Sequence, residues 1–267
     1  MVVSSSHEPH LRPPEDSRAA RAVIWHDIEC GAYRADLPFW RALAGAARAN
    51  EERAPILDIG AGTGRVALDL SAAGHAVTAL DLDPELLLAL RQRAAGNGQI
   101  ETVCADARTF QLSSRDFALC IAPMQTLQLL ARSADRLAFL RRARAHLRPG
   151  GLLACAIVTD LEPFSCASGD SGPSAELARV GEDLYLSRAV RVRVGTRRIV
   201  IERERRILAA GGQGAELASE REVVELARVS PSQLAREGVK AGLTPEPAGF
   251  VAATEDHVGS VVVMLRA

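Results

Sequence analysis

A chain of 267 residues that is 48% hydrophobic and carries a net charge of −1 has room for one large α/β domain, with or without a small cap. The balanced charge argues against a nucleic-acid partner, no apolar run approaches the ~20 residues of a membrane span, and the spacing of Cys30, Cys104, Cys120, Cys155 and Cys166 gives no disulfide framework or metal site. Lys240 is the only lysine, so the abundance of arginine reads as a coding bias. Residues 1–17 are polar and proline-bearing without an apolar signal-peptide core, which predicts a disordered tail and, by default, a cytoplasmic protein.

Two helical pieces follow, over 19–29 and 37–49. Trp25, Tyr33, Phe39 and Trp40 cluster there, in a chain only 4% aromatic. Next comes Ile56-Leu57-Asp58-Ile59-Gly60-Ala61-Gly62-Thr63-Gly64-Arg65, an apolar run that ends in glycines at alternate positions before helical spacing resumes. That is strand, tight turn and helix, in which glycines permit positive φ and bring a ligand close to bare N–H groups at a helix start. A second strand over 76–80 delivers Asp81, where a carboxylate can accept ribose hydroxyls. Asp83 before Pro84 reads as the N-cap of a helix over 84–95. A third strand over 100–105 leads to Asp106 and Ala107, and a fourth over 117–121 to Ala122-Pro123-Met124-Gln125-Thr126-Leu127-Gln128. A helix over 132–146 precedes Leu147-Arg148-Pro149-Gly150-Gly151 and a fifth strand over 152–159.

Residues 160–173 read as a loop. Segments 184–194, 198–209 and 220–229 favour strand, Val190-Arg191-Val192-Arg193-Val194 alternates strictly, and Gly211-Gly212-Gln213-Gly214 is a turn. We read an inserted antiparallel sheet of about three strands over 160–229. Arg191, Arg193, Arg203 and Arg205 most simply lie on its wet face, the alternative being an anionic-substrate or dimer surface. Ser230 and Pro231 open a helix to Ala241, and two strands around 250–253 and 260–265 complete the core.

The dinucleotide fingerprint places its last glycine one position later than Gly64. The spacing here, with Asp58 two residues before Gly60 and the acids at later strand ends, resembles the class I S-adenosylmethionine (SAM) dependent methyltransferases of the small-molecule type. The resemblance covers roughly 25–159 and 230–267. It implies a Rossmann-like α/β fold, a seven-stranded and mostly parallel sheet with one antiparallel edge strand, and SAM as cofactor with S-adenosylhomocysteine as product. It also implies a site. Backbone at Gly60, Ala61, Gly62 and Ala122 faces the methionine part, Asp58 its amino group, and Arg34 or Arg65 its carboxylate. Asp81 takes the ribose, and Leu82, Asp106 and Ala107 surround adenine. The helices before the first strand form a lid, from which Trp25, His26, Tyr33 and Arg34 can touch cofactor or substrate, although aromatics there also anchor helices on a core.

Ala122-Pro123-Met124-Gln125 lacks the amide or acid and the aromatic that DNA amino-methyltransferases carry beside the fourth strand. A small-molecule acceptor is therefore expected, methylated on N or O. His26 is the candidate base, with Gln125 or Gln128 either orienting the substrate or serving as solvated helix-start residues. No metal is expected. The sheet over 160–229 is a candidate homodimer surface, and a SAM-binding protein without turnover is the alternative function.

Overall fold

Apolar runs of four to six residues that alternate with helices dictate a parallel sheet with crossover connections. The computed structural model, which describes residues 18–49, 54–96, 100–168, 172–209, 215–255 and 257–267, contains that sheet. Strands β1 (Ile56–Ile59), β2 (Val77–Asp81), β3 (Ile100–Cys104), β4 (Phe117–Ala122) and β5 (Leu147–Ile157) run parallel. At the β5 side, β12 (Ser260–Arg266) runs antiparallel and pairs in turn with β11 (Thr244–Val251). The order β11-β12-β5-β4-β1-β2-β3 makes the sheet seven-stranded. The 1–17 tail and the Gly211–Gly214 turn lie outside the described residues.

Helices cover both faces, because most strands are apolar on both sides. Helices α2 (Leu37–Arg48), α3 (Arg65–Ala72) and α4 (Pro84–Ala94) pack on one face through Trp40, Val66, Leu70, Leu87 and Leu90, against Ile56, Val77 and Ile121. On the other, α5 (Ser133–His146) and α6 (Pro231–Lys240) use Phe139, Leu140 and Leu234 against Leu57, Ile59 and Cys120. Both foreseen caps form: the Asp83 carboxylate accepts the N–H groups of Glu85 and Leu86, and the Ser230 hydroxyl accepts that of Gln233. The first helix, α1 (Arg18–His26), passes directly into a π-turn at Asp27–Gly31, a form of helix often found at functional sites.

A second, antiparallel sheet occupies the chain between β5 and α6. Strands β8 (Asp183–Val194), β9 (Arg198–Leu208) and β10 (Glu216–Ala227) are those the alternation predicts. Two short strands on β8 were not foreseen, β6 (Phe164–Ser165) and β7 (Glu176–Val180). The first has two residues, and the second, Glu-Leu-Ala-Arg-Val, is weak in strand formers.

The arginines of this sheet divide, which corrects the expectation that all four are wet. Arg191 and Arg193 are 38% and 57% exposed and pair with Glu202. Arg203 and Arg205, at 16% and 15%, share a face with Ile199 and Ile207 and turn inward onto Glu29 of the π-turn. Glu29, 13% exposed, together with Glu176 on Arg203 and Glu222 on Arg205, supplies the opposite charge that lets them leave water. Among the described residues no helix is long and apolar enough to cross a membrane.

Candidate active site

The helices that follow β1 and β4 lie on opposite faces of the sheet, so the C-terminal ends of these neighbouring strands open a crevice, the usual ligand site of such sheets. The glycine turn forms its floor. Gly60 and Gly62 have φ of 76° and 55°, and side chains approach their bare faces closely. A β-carbon added at Gly60 would lie 2.4 Å from the Thr126 methyl, and one at Gly62 2.3 Å from the His26 imidazole.

The bare N–H groups expected at this turn are in fact used within the protein. Gly60 and Ala61 both donate to the Leu80 carbonyl at 2.8 and 3.0 Å, Gly62 to Asp81 Oδ2 at 2.8 Å, and Gly64 to the Ala61 carbonyl at 2.9 Å. A phosphate needs such donors free. What this turn presents is space beside acidic groups.

Asp58 supplies the first of these. Strand alternation turns its side chain to the face that Ile56 also occupies, leaving it 1% exposed, and neither carboxylate oxygen has a hydrogen-bond partner in the structure. Burial pushes its pKa up to about 7; the Arg65 charge opposes the rise, while Asp81 and Asp36 add to it. A carboxyl held in this way is costly until a positive group completes it. Asp81 ends β2, with Oδ2 on the Gly62 N–H and Oδ1 on that of Asp83 at 3.0 Å. Each oxygen keeps lone-pair capacity for a further donor. Beside it, Leu82 is 67% exposed, an apolar surface with no cover.

Asp106 is already engaged. Arg108 Nε and Nη2 bind its carboxylate at 2.9 and 2.5 Å and, more than any other group, hold its pKa below the ordinary range. The expected contact of Asp106 with an adenine amino group therefore competes with Arg108. Ala107 is half-buried against the core.

The lid residues scatter more widely than their proximity in sequence suggests. The Trp25 ring meets Tyr185 edge-on at 5.1 Å and lies under the Arg205 guanidinium at 5.5 Å, so it anchors α1 to the second sheet. Tyr33 stacks on His257 at 4.7 Å. Arg34 is exposed and lines a 490 Å³ cavity along α3, shared with Asp27, Thr63, Arg65 and Arg93.

Arg65 corrects the expectation of either a carboxylate ligand or a solvated side chain. It is 7% exposed and gripped by Asp36 through Nη1–Oδ1 at 2.5 Å and Nη2–Oδ2 at 2.8 Å, with a further bond to the Tyr33 carbonyl. Trp40 Nε1 donates to the same carboxylate at 2.8 Å. His26 reaches the glycine turn, and Glu29, three residues on, is held by Ser187 and Arg205 at 2.7 Å each. One short segment thus touches both the turn and the second sheet.

Ala122 ends β4 fully buried, and Met124 takes φ 53°, a left-handed conformation that a side chain resists, immediately beyond it. Gln125 is half-buried and its side chain makes no hydrogen bond to a described residue. Gln128 proves structural. Its Nε2 donates to the carbonyls of Val158 and Ala227 at 3.1 and 3.0 Å, and its Oε1 accepts the Val158 N–H at 2.8 Å. Exchange for leucine strands all three buried groups, so we expect a loss of about 2–4 kcal/mol, measured as a lower urea midpoint. An unchanged midpoint would refute the clamp.

Residues 56–151 match the family model described as a methyltransferase domain. Among solved structures, the chain resembles SAM-bound CalS10, an amino pentose methyltransferase from Micromonospora echinaspora involved in calicheamicin biosynthesis, at 22% identity and TM-score 0.68, over 98% of this chain and 100% of that one. It also resembles the sugar N-methyltransferase KedS8 from a Streptoalloteichus species, at 19% and 0.65, over 100% and 99%. A third is the glycopeptide N-methyltransferase MtfA complexed with SAM, at 22% and 0.58, over 86% of each chain. At such identities the likeness speaks for the fold. A search of curated proteins finds no match.

Proposed function

We propose that this chain, whose residues 56–151 match the methyltransferase-domain model, is a class I SAM-dependent enzyme that moves a methyl group from SAM to a nitrogen or oxygen of a small-molecule acceptor. The observation that carries this reading is the charge of the crevice. Its floor has a sealed carboxyl without a hydrogen-bond partner at Asp58 and a second acid at Asp81, while the N–H groups of Gly60, Ala61, Gly62 and Gly64 at its turn are used internally. This suits a ligand with an ammonium and two ribose hydroxyls better than a phosphate-bearing one. On this reading Asp58 answers the amino group, Asp81 the ribose, and Leu82 one face of the base.

When bound, the cofactor supplies a methyl on a sulfonium that departs as a neutral thioether. The protein's task is then mostly to align the acceptor with it, which makes positioning the main source of rate. We assign the 160–229 segment to the acceptor side, because Trp25 and Glu29 join the lid to its inner face. A homodimer through this sheet would use its outer face, where Arg191 and Arg193 lie. A cytoplasmic location completes the proposal. The amino sugars handled by two of the structural relatives are the acceptors to try first.

Calorimetry with S-adenosylhomocysteine and with NADH tests the cofactor, and labelled SAM with an amino-sugar panel tests transfer. Binding of S-adenosylhomocysteine but not NADH is expected. Tight binding without transfer to any acceptor would favour a SAM-binding regulatory subunit instead. Asp81→Ala should weaken S-adenosylhomocysteine by at least ~1 kcal/mol, the scale of a hydrogen bond to a charged group. Equal affinity would remove Asp81 from the ribose site.

A further inference from the structure

His26 ends α1, and its Nε2–Cε1 edge lies against the bare face of Gly62. Its other nitrogen, Nδ1, is 3.3 Å from Thr63 Oγ1. That hydroxyl is itself 2.7 Å from Asp27 Oδ1, and Asp27 is held by Arg93 through Nη1–Oδ1 at 3.0 Å and Nη2–Oδ2 at 2.5 Å. The direction of each hydrogen bond in this chain follows from the chemistry of its far end.

A carboxylate paired with a guanidinium only accepts, so the single proton of Thr63 points at Asp27. The charge-assisted bond to a carboxylate is the stronger of the two this hydroxyl could donate. The face of Thr63 Oγ1 turned to His26 is therefore a lone pair. Nδ1 must carry the hydrogen, and Nε2 must be bare. Nε2 makes no hydrogen bond to any described residue.

We infer that Thr63 and Asp27 are positioning residues that lock His26 in its Nδ1–H tautomer, with Nε2 facing the glycine turn as the acceptor for the methyl acceptor's departing proton. The inference rests on the methyltransferase reading above. Burial holds the imidazole's pKa below its ordinary value; Asp27, Asp81 and Glu29 oppose that, and Arg93 reinforces it. The ring is accordingly neutral near pH 7. In the step, a lone pair on the acceptor's nitrogen or oxygen forms the bond to the methyl carbon, and the carbon–sulfur pair stays with sulfur. The proton released by the acceptor atom passes to Nε2 and later to water. During that interval Nδ1–H still donates to Thr63, and Asp27, Asp81 and Glu29 stabilise the imidazolium.

The test is imidazole ¹⁵N NMR on the full chain, with and without S-adenosylhomocysteine, the His26 signals being assigned by their loss in His26→Gln. We expect predominantly Nδ1–H in the wild type and in Thr63→Ser, which keeps the hydroxyl. Thr63→Val, close in shape but unable to accept, should shift His26 to mostly Nε2–H. An Nε2–H ring in the wild type, or a Thr63→Val ring that stays Nδ1–H, overturns the inference. If Thr63→Val fails to fold, the wild-type tautomer alone decides. The same samples separate the two claims: no binding of S-adenosylhomocysteine would sink the methyltransferase reading, whereas binding with the wrong tautomer would sink only this one.

Discussion

Exchanging Arg65 for methionine is expected to cost about 3–5 kcal/mol of folding stability, the range for breaking a buried ion pair by removing one partner. The two side chains are 7% and 4% exposed, so Asp36 would be left charged and dry with only Trp40 Nε1 as a donor. The effect should appear as a lower denaturant midpoint, with the lid turn at Tyr33–Asp36 exchanging its amides faster, because Arg65 also holds the Tyr33 carbonyl. Replacing both partners together, as Asp36→Leu with Arg65→Met, should recover much of the loss, since no unpaired charge remains. A single variant as stable as the wild type would mean that the pair is not sealed from water. Arg65 is also the main group opposing the raised pKa of Asp58, so its loss should drive that pKa higher still.

Asp58 gives the second large effect, and its sign follows from linkage. Burial raises the folded pKa to about 7, so between about pH 4 and 7 the folded protein holds a proton that the unfolded chain has released. Its contribution to stability is thus fully present at low pH and is lost as pH rises through this window, by up to about 4 kcal/mol. Asp58→Asn removes the dependence, and without ligand it should exceed the wild type in stability by a margin that widens up to pH 8. His146 acts in the opposite sense. Burial lowers its pKa, and protonation of the unfolded chain below about pH 6.5 removes stability. The difference between wild type and Asp58→Asn, rather than either curve, therefore isolates the carboxyl.

Ligand binding should reverse the ranking. An ammonium beside Asp58 favours its ionised form, so S-adenosylhomocysteine should expel a proton below pH 7, visible as binding heats that vary with buffer ionisation. Asp58→Asn should lose that release and bind about tenfold or more weakly, the scale of a charged hydrogen bond. A variant that binds as tightly as the wild type, with the same proton count, would detach Asp58 from the cofactor.

The elements were legible wherever a local pattern determines them. Alternate glycines after an apolar run, an acid at the end of β2, and the caps at Asp83 and Ser230 all depend on neighbours within a few residues. What the sequence concealed depends on partners far along the chain. Arg65 reads as a solvated helix start until Asp36 folds back on it, 29 residues away. Arg203 and Arg205 read as wet because alternation cannot show that Glu29 will lie against them, 176 residues before Arg205. Trp25 reads as a lid residue or as a helix anchor from its place before the first strand; a helix turns consecutive side chains in different directions, and Trp25 points to Tyr185 while His26 reaches the glycine turn. The relay through Thr63 had only a faint trace in sequence: a hydroxyl inside the glycine motif and an acid next to the lid histidine.

The Gln128 amide binds the main chain at Val158 and at Ala227, the point where the polypeptide leaves the parallel sheet and the point to which it comes back. Everything between is an excursion whose ends are pinned side by side, so its length and composition can change with little disturbance to the parallel sheet, provided that the partners of Glu29 and Trp25 at Ser187, Arg205 and Tyr185 are kept. This makes the segment a graftable module. On the methyltransferase reading proposed above, a chimera that keeps Gln128 and the partners of Glu29 and Trp25 but exchanges the other residues between those two anchors should change which acceptor is methylated.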